Sequence, residues 1–129
     1  MSDFQFRCVA GLLQTAPAVH KSVSIGGSKV LDCDFNYPMG QPTEHIITWH
    51  RQNVDVPIFI QFNGYPPHID ETFLGRIRQV EQGSIEISDV RIQDEGWYQC
   101  FIVFLNGSEE PGVNGTRIYL SVNGECPIV

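Results

Sequence analysis

Apolar residues along this chain recur at every second position within short runs. No stretch of ten residues or more carries the 3.6-residue period of an amphipathic helix. The runs are rich in β-branched and aromatic side chains. Turn-forming clusters separate them at Gly26-Gly27, residues 36–40, Gln52-Asn53, residues 63–67, Gln82-Gly83 and residues 106–115. Strands are therefore expected over residues 19–25, 29–35, 46–51, 57–62, 76–80, 84–87, 97–105 and 116–122. Short strands at this spacing build a sandwich or a barrel. Parallel α/β architectures are excluded, because their crossovers need helices.

Alternation assigns the faces, since successive side chains on a strand point to opposite sides. Leu31, Cys33 and Phe35 share one side against Val30, Asp32 and Asp34. Ile47 and Trp49 oppose Ile46, Thr48 and His50, and Ile85 and Ile87 oppose Ser84, Glu86 and Ser88. Tyr98, Cys100 and Ile102 point one way, and Ile118, Leu120 and Val122 turn inward near the end. The inward sets are nearly all apolar, as a two-sheet core demands. Lys29 is the misfit, and near a strand end its ammonium reaches water.

The 129 residues fit one domain. Only 18% are charged and 42% are apolar, which rules out disorder. No apolar run approaches the ~18 residues of a membrane helix. Fifteen acidic residues against eight basic ones give a net charge of −7. The chain lacks the clustered basic face that a phosphate backbone requires, so nucleic acid is not an expected partner.

Cys8, Cys33, Cys100 and Cys126 form no C-x-x-C pair, which removes zinc-ribbon and thioredoxin readings. Cys33 and Cys100 each sit in a strand run, as two buried thiols or as one bridge. Cys8 and Cys126 lie in the flanking segments and pair with each other, pair between chains or stay free. The start is a poor signal peptide: Asp3 stands where a positive region belongs, and residues 8–13 make a short apolar core. Residues 1–16 read as a leader or an appended segment, 17–123 as the domain and 124–129 as a linker or tail. Two N-glycosylation sequons, Asn106-Gly107-Ser108 and Asn114-Gly115-Thr116, fall in one polar, Gly-rich stretch. That stretch is expected to be the exposed loop joining the last two strands of a secreted protein.

Cys33, Trp49 sixteen residues later, and Asp94-x-Gly96-x-Tyr98-x-Cys100 together resemble the immunoglobulin superfamily. The resemblance implies an all-β, Greek-key sandwich whose sheets are bridged by Cys33 and Cys100, with Trp49 packed against the bridge. It also implies that the Tyr98 hydroxyl bonds back to the preceding turn, that Gly96 permits a tight turn, and that Arg76 pairs with Asp94. The distance between the two cysteines leaves room for two extra edge strands, at residues 56–62 and 65–69. That makes the immunoglobulin sandwich variable-type.

A narrower resemblance rests on Asp55-Val56-Pro57-Ile58-Phe59-Ile60-Gln61-Phe62, Tyr65-Pro66-Pro67-His68-Ile69-Asp70 and Gly75-Arg76. Asp94-Glu95-Gly96-Trp97-Tyr98-Gln99-Cys100, Phe104-Leu105-Asn106 and the closing Asn114-Gly115-Thr116 complete it. Together these runs are similar to the first immunoglobulin domain of the Turtle/Borderless group of neuronal adhesion receptors, over about residues 17–123. The short loop after Leu105 points to the Borderless branch. The resemblance implies a single-pass cell-surface protein with several immunoglobulin and fibronectin-type domains, recognising copies of itself or family members between neurites. Its membrane attachment would lie in the rest of the receptor.

Catalytic chemistry finds little support. His45 and His50 are five apart on a strand, so they point to opposite faces and cannot chelate one ion. No Gly-x-Ser-x-Gly elbow, His-Glu-x-x-His or phosphate loop occurs. Asp32 and Asp34 read as a solvated strand face, and Glu109-Glu110 as a charged loop. No enzyme activity, cofactor or metal is expected.

The outward sets are more informative. Gln99, Phe101 and Val103 face outward beside Ile46, Thr48 and His50, with Arg117 and Tyr119 on the last strand. Ile58, Ile60 and Phe62 extend the patch, or else Phe59 does. Ile46, Phe101, Val103 and Tyr119 make an apolar row that a monomer does not leave wet, and the near absence of Lys matches an interface core. The expected partner is the same domain on another molecule or a related family member. Glycans at Asn106 and Asn114 are expected at the loop end, leaving the flat face open. The alternative is a variable-type domain of an immune-type or secreted receptor that binds a different protein.

Overall fold

The computed structural model describes residues 19–40, 44–62, 64–105 and 112–124. Their strands are β1 Val19–Ser24, β2 Lys29–Leu31, β3 His45–Arg51, β4 Phe59–Phe62, β5 His68–Ile69, β6 Ile77–Gln79, β7 Ile85–Ile87, β8 Gly96–Phe104 and β9 Gly112–Asn123. One layer, the front sheet, has the order β1-β9-β8-β3-β4-β5, and the other has the order β2-β7-β6. Strands pair antiparallel except β1 with β9, which run parallel. β4 and β5 are the two extra edge strands expected of a variable-type sandwich.

The inward sets meet between the layers as the alternation requires. Leu31, Trp49, Ile85, Ile87, Cys100, Ile102, Ile118, Leu120 and Val122 are all 0% exposed. Trp49 stands directly opposite Cys100 in the β3–β8 register, and the Cys33–Cys100 disulfide joins the two layers there. The indole N–H donates to the Gly83 carbonyl at 2.8 Å, so the buried ring leaves no polar atom unsatisfied. Cys8 and Cys126 lie outside the described residues.

A second anchor closes one end of the sandwich. Arg76 meets Asp94 through two hydrogen bonds, Nη1 to Oδ2 at 2.7 Å and Nη2 to Oδ1 at 3.2 Å, with both residues buried. Arg76 also donates to the carbonyls of Thr72 and Asp89, and Asp94 accepts from the Arg91 N–H. Tyr98 donates its hydroxyl to the Asp94 carbonyl, and burial pushes the phenol pKa up. Gly96 opens β8 at φ 147°, a region that L-residues rarely adopt, so glycine is required by conformation there.

The main departures from the expected pattern are at β2, Ser84 and β9. β2 ends at Leu31 rather than running to residue 35, because the Cys33 N–H donates to the Ser84 hydroxyl instead of to a neighbouring strand. Ser84, expected to face outward, is accordingly buried. β9 begins at Gly112, four residues earlier than expected, because residues 112–115 are strand. Gly115 makes that possible: a Cβ there would stand 2.2 Å from Cys100 Sγ, so only a residue without one lets β9 pass over the disulfide.

Asp94→Ala leaves the Arg76 guanidinium buried without its partner. It should cost about 3–5 kcal/mol in urea denaturation, with the slope unchanged. Gly115→Ala should destabilise by about 1–3 kcal/mol in thermal melts under non-reducing conditions, because neither the disulfide nor the β9 backbone has room to yield.

Candidate functional site

The outer side of the front sheet is assembled by register. Phe62, Ile46 and Val103 lie side by side across β4, β3 and β8. Ile60, Thr48, Phe101 and Asn114 make the next row across β4, β3, β8 and β9. His50, Gln99 and Arg117 form a third, and Trp97 and Tyr119 a fourth that continues to His20 on β1. Phe62, Phe101 and Val103 are 38–39% exposed, a large value for apolar side chains in mid-sheet. Ile46, Thr48, His50, Ile60, Gln99 and Tyr119 are half-buried, and Arg117 is exposed.

Side chains on this face brace one another. The His50 ring meets the Phe101 ring edge-on at 5.4 Å between centroids, and its Nε2 shares a 2.9 Å hydrogen bond with the Thr48 hydroxyl. Below them, the Arg117 guanidinium lies 4.3 Å from the Trp97 ring centre. Trp97 packs edge-on against Tyr119 at 5.1 Å, and Tyr119 stacks on His20 at 5.7 Å. The apolar half is thus flanked by an aromatic ladder that carries a cation.

The six strands of the front sheet contain no Asp or Glu, although the chain carries fifteen acidic residues. Their cations are engaged: Lys21 pairs with Asp32 at 2.8 Å, and Arg51 donates to the carbonyls of Gln93 and Glu95. Among the described residues no cluster of His, Cys, Asp and Glu is built to hold a metal ion. His45 is buried among the rings of Phe35, Tyr37 and Phe104, on the opposite side of β3 from His50. The arrangement offers a contact surface.

Ile58 is a correction: it is 0% exposed, and so is Phe59 beside it. Alternation does not reach Ile58, which precedes β4. Its N–H donates to the Trp49 carbonyl and its carbonyl accepts from the Asp70 N–H, and its side chain is buried in the core cluster with Phe59 and Phe73. Asn114 is a second correction, since it stands in β9 opposite Phe101 and not in a loop. Asn106 lies outside the described residues, as do Glu109 and Glu110. Trp97 was missed although parity with buried Tyr98 marks it as outward. His20 had no such signal, because the parallel pairing of β1 with β9 is not written in any local pattern.

Burial holds the His50 imidazole below histidine's ordinary pKa of 6.5. The unfolded chain therefore takes up this proton first, so stability is fully present above about pH 6.5 and falls as pH drops through the lowered value. An NMR titration of the His50 ring should give a midpoint below 6.5. His50→Gln should flatten the stability profile between about pH 7 and 5.

The family described as Immunoglobulin V-set domain matches residues 15–123 of this chain. Protein turtle homolog A of Rattus norvegicus is 42% identical over 100 residues, which cover 76% of this chain and 8% of that protein. Protein borderless of Drosophila melanogaster is 29% identical over 108 residues, 78% of this chain and 14% of that protein. Both branches of the group are thus among the relatives, with identity higher to turtle homolog A. The chain spans a small fraction of the length of these curated relatives. Among solved structures, the V domain of amphioxus IgVJ-C2 matches with a TM-score of 0.67 at 24% identity, over 79% of this chain and 98% of that one. That likeness concerns the fold.

Proposed function

The chain belongs to the immunoglobulin V-set family, and on that premise we propose that it is an extracellular recognition domain of a neuronal cell-surface adhesion receptor. It binds through the outer side of its front sheet, and its partner is the same domain on another molecule or a related family member. The similarity to turtle homolog A and borderless supports the receptor class. The disulfide and the two sequons support an oxidising, secreted environment.

One observation carries the choice of face: an apolar row, Phe62–Ile46–Val103 with Phe101 beside it, in a sheet without a single acidic residue. Two copies of a chain with a net charge of −7 repel each other wherever their acidic loops meet. The strands of the front sheet carry no acid of their own, and the Glu95 carboxylate beside them is held by the Val122 N–H and the Tyr119 hydroxyl, so copies approach there with less of that penalty. Burial yields roughly 25 cal/mol per Å² of apolar surface, and association costs about 4–15 kcal/mol in lost freedom. A few side chains of this size therefore support only weak pairing. Weak contacts multiplied across apposed membranes suit an adhesion receptor.

Sedimentation of glycan-free, disulfide-bonded protein tests the reading. Wild type should self-associate with rising concentration, and Phe101→Asp should weaken that association by about tenfold or more. Phe101 is partly exposed, so the variant should melt close to wild type. Equal association of the two proteins would place the contact elsewhere. Capture of a different protein without self-association would favour a heterophilic receptor module.

A further inference from the structure

The sequon Asn114-Gly115-Thr116 lies within a strand of the proposed contact face. Two of its three residues have reasons of their own to be there. Gly115 is dictated by the disulfide beneath it, and the Thr116 hydroxyl accepts from the Asp34 N–H at 3.3 Å, tying β9 to the segment that follows β2. Neither reason applies to Asn114. It is exposed and stands opposite Phe101 in the antiparallel register, so both side chains emerge on the same face with their Cβ atoms about 5 Å apart. A glycan is far larger than that spacing, and strongly hydrated.

We propose that Asn114 is an N-glycan acceptor whose glycan lies over the front sheet beside Phe101 and regulates self-recognition. Copies that carry the glycan are held apart at this face, and copies that lack it pair. The inference rests on the front sheet being the contact, and it changes what occupancy means. A glycan in the loop beyond the strands would leave the flat face open, whereas one on β9 competes with a partner for Phe101. Partial occupancy then divides one gene product into adhesive and non-adhesive forms.

The test uses the whole chain secreted from glycosylating cells, with Asn106→Gln in every sample so that Asn114 is the acceptor that varies. Intact mass should show a glycan that Asn114→Gln removes and that Thr116→Ser, which keeps the sequon, retains. In sedimentation, Asn114→Gln should self-associate at about tenfold lower concentration than the glycosylated parent. Adding Phe101→Asp to Asn114→Gln should reverse that gain. Three outcomes overturn the inference: an unoccupied Asn114, equal association with and without its glycan while Phe101→Asp still abolishes pairing, or weaker association on glycan removal. The first two leave the front-sheet reading standing. If Phe101→Asp has no effect in the glycan-free background, that reading itself fails, which separates the two failures.

Discussion

The packing of Trp49, the Cys33–Cys100 bridge and Gly115 around one point between the sheets is the constraint on which the remaining structure depends. A cross-link closing 67 residues removes about 4 kcal/mol of unfolded-chain entropy on the loop-closure account. Its structural consequence is more specific. With the two layers fixed at Cys33 and Cys100, and the indole set directly across from Cys100, the phases of β3 and β8 cannot slip. A slip of one residue would bring Phe101 into the core and expose Cys100. The chemistry of the outer face is thus decided by what the bridge holds inside.

The same point shapes β9. Its backbone crosses so close to the bridge that Gly115 admits no Cβ, and the register shift between Gln99 and Phe101 falls in this stretch. An irregularity at the core therefore sets which β9 residue stands opposite Phe101. That residue is Asn114. The link from a buried disulfide to the surface position of a sequon asparagine runs through a single glycine.

Charge completes the division of labour. The ion pair of Arg76 with Asp94 is buried at one end of the sandwich, and among the described residues Glu86 is the one acid that lies in a strand. The front sheet is left with apolar side chains, an aromatic ladder and cations already engaged. A surface of that kind is poorly served by water and unopposed by self-repulsion.

Much of this was legible in the order of residues. Strand alternation placed Leu31, Trp49, Tyr98 and Ile118 inside, and Phe101 and Val103 outside. The resemblance of Cys33, Trp49 and the Asp94–Cys100 run to the immunoglobulin superfamily implied the sandwich. Those features are local or rest on a few positions, and a period of two transmits them without any knowledge of neighbours. Tertiary structure decided the rest. Ile58 is buried because the chain turns inwards at the start of an edge strand. Ser84 is buried because its hydroxyl replaces a missing ladder partner for Cys33. Asn114 joins the front face because β9 begins early, and Gly115, having no side chain, lets it pass over the disulfide. Each depends on what lies across the core from the residue, a distance that no local pattern encodes.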